Sequence, residues 1–399
     1  MISYLAGVCN SALSFIFIIF IIGTLGYLVG GIKIKGIELG TAGVLLVALI
    51  YGILVSYIPS FHIGEKEITL FSSTLKSNFG IVSNIGTALF VTAVGLIAGP
   101  KFFRSFNKKT LSYIMLGVIV IALGAITAII FVKLDKNLSA EMAVGLLTGG
   151  LTSTPGLSAA KEVAKDADSV VAGYGIAYLF GVLGVVLFVQ IVPKLLKVNM
   201  KEEVANFQAA NAISIPEPKG NLFKLDPFGF FAFFLAISIG CLIGSIKIPG
   251  INFSLGNSGG TLIGGLLVGH FAHIGKIDCR IKKETLNFFR ELGLVLFLIG
   301  AGVPGGVNFI ANVKVSYFIY GAVITLVPMV VGYIIARYVF KLSILNNLGS
   351  ITGGMTSTPA LGTLIATAGT DEVSAAYAAT YPFALVSIVL AAKILVMIA

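Results

Sequence analysis

The sequence predicts an all-α polytopic membrane protein: two inverted repeats, each of five transmembrane helices plus one re-entrant hairpin or broken helix. Three observations carry that expectation. The 399 residues are 57% hydrophobic and only 11% charged, with a mean hydropathy of +1.02, whereas a soluble domain carries about 25% charged residues. The stretch Gly149-Gly150-Leu151-Thr152-Ser153-Thr154-Pro155-Gly156-Leu157 returns as Gly353-Gly354-Met355-Thr356-Ser357-Thr358-Pro359-Ala360-Leu361, identical at seven of nine positions. Lysine and arginine gather in alternate connections between apolar runs, the pattern set by the preference of basic residues for cytoplasmic loops.

Composition removes several function classes. The net charge of +10 is explained by basic cytoplasmic loops, so no nucleic-acid partner is expected. The three cysteines, Cys9, Cys241 and Cys279, have no metal-like spacing and predict no disulfide framework. His270 and His273 stand at i, i+3 with no nearby Cys or carboxylate to complete a site, so no metal and no other cofactor is expected. Ser153 and Ser357 have no His or Lys partner, which argues against an enzyme. The 48 glycines suit close helix packing in lipid. No Lys or Arg precedes Lys33, so the first apolar run reads as a retained span and not a signal peptide.

A bilayer-crossing helix needs about 20 apolar residues. The first repeat, 1–196, offers such runs at roughly 11–31, 40–58, 81–99, 111–132 and 170–196, with its motif segment at 139–165. A polar linker, 197–226, contains Pro216 and Pro218. The second repeat, 227–399, offers runs at roughly 228–246, 258–275, 288–304, 315–340 and 373–397, with its motif segment at 343–369. The halves match beyond the motif. Gly26–Ile34 resembles Gly240–Ile248, Tyr113–Gly117 resembles Tyr317–Gly321, and Asp168–Tyr178 runs parallel to Asp371–Tyr381. Such a duplication is common in transporters.

The charge rule sets the orientation. With both termini outside, Lys33, Lys35, Lys101, Arg104, Lys108, Lys109, the linker, Lys276, Arg280, Lys282, Lys283, Arg337 and Lys341 all face the cytoplasm. This holds only if each motif segment enters and leaves by one face. Five crossings per half then make the halves antiparallel, with the first hairpin entering from outside, the second from the cytoplasm, and their tips able to meet near the midplane.

Within each motif, Thr-Pro reads as an N-cap followed by the first helical position, placing helix starts at Pro155 and Pro359. A helix N-terminus presents N–H groups and a partial positive charge worth about 0.3–1 kcal/mol to an anion. The expected substrate-binding set is therefore Thr152, Ser153, Thr154, Pro155 and Gly156 with Thr356, Ser357, Thr358, Pro359 and Ala360. Gly149, Gly150, Gly353 and Gly354 supply backbone freedom at membrane depth. The alternative for each motif is a tight turn packing helices. Asn84, Tyr178, Arg290, Glu291, Arg337 and Tyr381 are secondary cavity or gating candidates. Their plainer roles are a cytoplasmic-end pair for Arg290 and Glu291, snorkelling for Arg337, and packing or anchoring for the rest. Asp168 and Asp371 read as helix caps.

The twin motifs Thr152-Ser153-Thr154-Pro155-Gly156-Leu157 and Thr356-Ser357-Thr358-Pro359-Ala360-Leu361, set in two similar halves around a central linker, resemble those of the aspartate:alanine exchanger family. The resemblance covers essentially the whole chain except the linker. It implies a bacterial inner-membrane secondary transporter of the broader group built from inverted five-span repeats, with aspartate–alanine exchange as the family's known activity. Two departures stand out. Many members carry two soluble regulatory domains in the central loop, where this chain has about 30 residues, and position 360 is alanine where the first copy has glycine. The expected function is an antiporter of small amino acids or carboxylates, with a small anionic or zwitterionic substrate and the lipid bilayer as partners. A homodimer is one assembly the sequence permits. The alternative is an ion or small-solute channel built on opposed half-helices.

Overall fold

The computed structural model describes residues 15–34, 37–38, 40–63, 66–102, 108–196, 203, 222–248, 253–307, 309–368 and 373–398. Most of the expected linker, and Asp371, lie outside these residues. In the first half the chain forms α1 (Phe15–Gly30), α2 (Ala42–Tyr57), α3 (Ser73–Phe102), α4 (Lys108–Leu134), α5 (Ala140–Gly150), α6 (Thr154–Val163) and α7 (Ala167–Leu195). The second half forms α8 (Phe230–Ser245), α9 (Gly256–Phe271), α10 (Lys283–Val307), a single turn α11 (Phe309–Asn312), α12 (Val315–Tyr338), α13 (Ile344–Gly354), α14 (Thr358–Ala368) and α15 (Ser374–Ile398). Six of these are long and apolar enough to cross a membrane, and the protein is an all-α polytopic membrane protein.

Four helices at expected spans are short among the described residues. Helices α1, α2, α8 and α9 have 16 residues each, about 24 Å at 1.5 Å per residue. Each is followed by a small antiparallel hairpin that the hydropathy pattern did not reveal. After α1 comes β1 (Lys33–Ile34) with β2 (Ile37–Glu38), and after α2 comes β3 (Ser60–Ile63) with β4 (Lys66–Thr69). Matching them in the second half are β5 (Lys247–Ile248) with β6 (Phe253–Ser254), and β7 (His273–Ile274) with β8 (Ile277–Asp278). Strands this short carry no periodic signal of their own.

Capping follows the sequence closely. Ser139 and Ser343, at equivalent places, accept from the third residue onward, Met142 N and Asn346 N, and so open α5 and α13. Asp226 accepts backbone N–H bonds from Phe228, Gly229, Phe230 and Phe231 ahead of α8. Those donors, Phe231 foremost, hold its carboxyl below the usual carboxylate range. The cap of α7 is Asp166, which accepts from Asp168 N and Ser169 N. Asp168, expected as the cap, sits instead in the first turn and pairs with Lys76 at 2.7 Å.

Equivalent helices of the two halves pack on one another in opposite directions. Gly300 of α10 lies against Phe79 and Ser83 of α3, whereas Gly293 lies against Gly86 and Phe90. In the second such pair, Phe131 of α4 stacks on Tyr320 of α12 at 4.4 Å, and Val120 meets Gly332. The short helices behave differently. Along α5 and α7 the contacts step in the same direction: Gly145 against Val170 and Gly173, then Gly149 against Tyr174 and Ala177. α13 and α15 repeat this, with Gly349 against Val373 and Ala376, then Gly353 against Tyr377 and Thr380. Two helix groups result. One holds α1, α2, α3, α8, α9 and α10; the other holds α4 to α7 and α12 to α15.

Candidate functional site

Both motif copies break their helices at the same place and touch there. α5 ends at Gly150 and α6 starts at Thr154; α13 ends at Gly354 and α14 starts at Thr358. At 10 or 11 residues, each of these helices covers about half of a 30 Å hydrocarbon core. Ser153 N donates to Thr148 O and Ser357 N to Thr352 O, the 6→1 closure of a helix end that ordinarily puts glycine in the left-handed position. Here that position is threonine, Thr152 at φ 52° and Thr356 at φ 51°. A β-branched residue there is an outlier, costing of order 1–3 kcal/mol.

What offsets the strain is a reciprocal pair of bonds between the tips. Thr152 Oγ1 donates to the Met355 carbonyl at 2.9 Å, and Thr356 Oγ1 donates to the Leu151 carbonyl at 2.8 Å. Each hydroxyl satisfies a carbonyl freed by the other copy's broken helix. Thr325 of α12 covers a third freed carbonyl, that of Gly150, at 3.2 Å.

Several expectations for the motif need correction. The four glycines are helical and not part of the irregular backbone. They allow close approach: a Cβ on Gly149 would stand 2.4 Å from the Tyr174 carbonyl, and one on Gly353 2.8 Å from that of Tyr377. Ser153, not Thr154, is the cap of α6; its Oγ accepts from Gly156 N at 3.2 Å. The helix therefore begins at Thr154, one residue earlier than expected, and one of its free N–H groups is already used. α14 likewise begins at Thr358. The side chains of Thr358 and Pro359 lie outside the described residues. Ser357 Oγ is buried with no partner among the described residues, and Ala360 is fully buried.

Thr154 faces a narrow cleft between the two helix groups, a cavity of about 10 Å³. Thr41, Leu45, Leu294 and Leu298 form one wall, and Thr154, Tyr174 and Tyr178 form the other. The Thr154 and Tyr174 hydroxyls are 3.2 Å apart, and the Tyr174 and Tyr178 rings pack at 5.1 Å. Tyr377 and Tyr381 repeat that aromatic pair in the second half at 4.9 Å. Arg290 and Glu291 pair with each other at 2.8 Å. Arg337 donates to Tyr333 Oη at 2.9 Å on the exposed end of α12, and Asn84 is exposed on α3. Neither of these two lines the cleft.

A family model described as a predicted permease membrane region matches residues 18–194 and 232–397. The chain belongs to the aspartate:alanine exchanger family. The model's gap falls on the polar stretch between the halves. Similar proteins in bacteria bear transporter names. An uncharacterized transporter of Bacteroides fragilis is 27% identical, over 94% of this chain and 96% of its own length. Others from Desulfotalea psychrophila, at 25% over 96% and 97%, and Rhodopirellula baltica, at 24% over 93% and 97%, carry the same description. The Bacteroides alignment runs over 534 positions, more than the 399 residues of this chain, so that relative has segments with no counterpart here.

This exchanger-family chain also carries a polar network around a buried lysine whose pairing no local sequence pattern reveals. Glu162, on α6, pairs with Lys393 of α15 at 2.7 Å, and Lys393 is 1% exposed. The same carboxylate accepts from the N–H and the hydroxyl of Ser258, at 2.6 and 2.8 Å, at the start of α9. Ser158 Oγ lies 2.7 Å from Ser258 Oγ and 3.1 Å from the Thr87 hydroxyl. Gly256, at φ 64°, leaves the room: a Cβ there would strike Glu162 and Lys393. One signal was available. Lys393 stands alone among apolar residues in a long helix, and an ionisable group inside a span is a functional candidate by default. Averaged hydropathy hid it.

Proposed function

We propose that this protein is a secondary transporter, an exchanger of small amino acids or carboxylates, whose substrate binds where the Thr-Ser-Thr-Pro tips meet between the two helix groups. The observation that carries the reading is the reciprocal bonding of Thr152 and Thr356 to the opposite tip. It joins the two broken helices into one body beside a cleft whose far wall belongs to the other group. Sliding of one group past the other then changes which face the cleft opens to, as alternating access requires. The Thr154 hydroxyl and the remaining positive end of α6 hold a carboxylate weakly enough to release it.

Two features support inverted repeats with re-entrant hairpins. Equivalent helices pack antiparallel, α3 on α10 and α4 on α12. Because α5 and α7 run side by side in one direction, α6 must return the chain to the level at which α5 began. With the linker in the cytoplasm and both termini outside, Lys33, Lys276, Lys282, Lys283, Arg337 and Lys341 fall on the cytoplasmic side. Family membership supports residence in a bacterial inner membrane.

Counterflow into proteoliposomes of purified protein tests the function. Loaded with unlabelled aspartate or alanine, they should take up labelled aspartate, alanine or a related small acid in a saturable way. No saturable exchange of any small amino acid or carboxylate would overturn the proposal.

A further inference from the structure

Helix α6 bears one polar face: Thr154, Ser158 and Lys161, at i, i+4 and i+7, fall on the same side. Thr154 opens into the cleft, Ser158 meets Thr87, and Lys161 Nζ donates to Ser83 Oγ at 3.1 Å. Ser83 and Thr87 are themselves one turn apart on α3, in the other helix group. The ammonium also lies over the Phe297 ring, 5.3 Å from its centre. Phe297 stands between Leu294 and Leu298 on α10, both of which line the cleft, so the cation sits against the helix that forms the cleft's far wall, two turns along α6 from Thr154.

Lys161 has no carboxylate at ion-pair distance among the described residues. Its sequence neighbour Glu162 is turned away, held by Lys393 and by two bonds from Ser258. Asp168 acts on Lys161 through space but is bonded to Lys76. The Glu162–Lys393 pair is neutral within itself, so among the described residues Lys161 stands between the groups with a hydroxyl as its hydrogen-bond partner. An ammonium has three donors. The fold does not need a charge here, because the equivalent position in the second hairpin is Ile365, and those equivalent to Ser158 and Glu162 are Gly362 and Ala366.

We propose that Lys161, with the Ser83 hydroxyl beside it, is an anion subsite that receives a carboxylate of the transported solute, so that the exchanger favours solutes with a net negative charge over neutral zwitterions. The substrate class rests on the transport reading above; the subsite itself requires only binding. The solute's carboxylate accepts from the two remaining N–H donors and leaves the Ser83 bond in place.

The test compares wild-type full-length protein, Lys161→Gln and Lys161→Arg, with L-aspartate, succinate and L-alanine as probes. Thermal unfolding in detergent reads binding, since a ligand of the folded form raises Tm; counterflow reads transport. Aspartate and succinate should stabilise the wild type. Lys161→Gln should weaken both acids about tenfold or more, with alanine changed by less than about twofold, and Lys161→Arg should stay within about threefold of wild type, because only a charge-assisted bond is at stake. If Lys161→Gln binds the acids like wild type, or loses acids and alanine alike, the subsite is refuted. Wild-type protein that no acid stabilises refutes it too. Preserved, Lys161-dependent binding without any counterflow would instead defeat the transport reading and leave the subsite standing.

Discussion

Helices α5 and α13 open on the same serine cap and close on the same Gly-Gly pair, and the turns that follow put threonine at φ 52° and 51°. Away from the tips the two hairpins part. Met142, Ala143 and Leu146 of α5 correspond to Asn346, Asn347 and Ser350 of α13. In the returning helices the difference is reversed: Ser158, Lys161 and Glu162 of α6 correspond to Gly362, Ile365 and Ala366 of α14. The tip geometry is thus the part both halves must keep, since each tip completes the other's hydrogen bonds. The stems are free to diverge, and one has become the charged side of the molecule. Of the second stem's polar atoms, Asn347 Oδ1 and Ser350 Oγ are buried without a partner among the described residues.

The largest effect should come from the charged stem. Glu162→Gln strands the buried Lys393 charge and should destabilise the protein by about 3–5 kcal/mol; Lys393→Met leaves the more exposed Glu162 carboxylate and should cost less. The double variant should recover most of that loss. Thermal unfolding of the three proteins decides it; losses that simply add would mean the pair is not coupled. Smaller and more even effects are expected at the tips. Thr152→Val and Thr356→Val each lose one inter-tip bond and keep a β-branched residue at positive φ, for about 1–3 kcal/mol each. Thr→Gly at the same sites relieves the strain and should cost less. Equal losses at the two positions, non-additive by at least about 0.5 kcal/mol when combined, would sharpen the symmetry; a loss at only one would break it. The smallest effect separates the stems again. Ser158→Ala removes a hydroxyl bonded to Ser258 and close to Thr87 and should cost about 1–2 kcal/mol. Ser350→Ala deletes an unpartnered buried hydroxyl and should be neutral or stabilising by up to about 1 kcal/mol. Equal costs at the two serines would remove the distinction between stems.

Much of this was legible in the sequence, for identifiable reasons. The duplicated nonapeptide marked the tips, because glycine, hydroxyl residues and proline together are out of place in an apolar run. Long apolar segments gave α3, α4, α7, α10, α12 and α15. The cap was misassigned because Ser153 and Thr154 are both good caps beside the same proline, and only the backbone decides between them. The glycines were read as freedom when they serve contact, since a missing Cβ looks the same for either use until the partner helix is known. Tyr174, which shares its proton with Thr154 or takes one from it, could not be singled out among 13 tyrosines. The Glu162–Lys393 pair joins residues 231 positions apart, a distance no local pattern bridges.

Alternating exposure of the tip can be measured directly. With Cys9, Cys241 and Cys279 replaced, a single Thr154→Cys should react with a small membrane-impermeant thiol reagent from either face of oriented vesicles, and a transported acid should slow both reactions. Reaction from one face only, or from neither, or at a rate no solute alters, would contradict a shared site that opens in turn to each side.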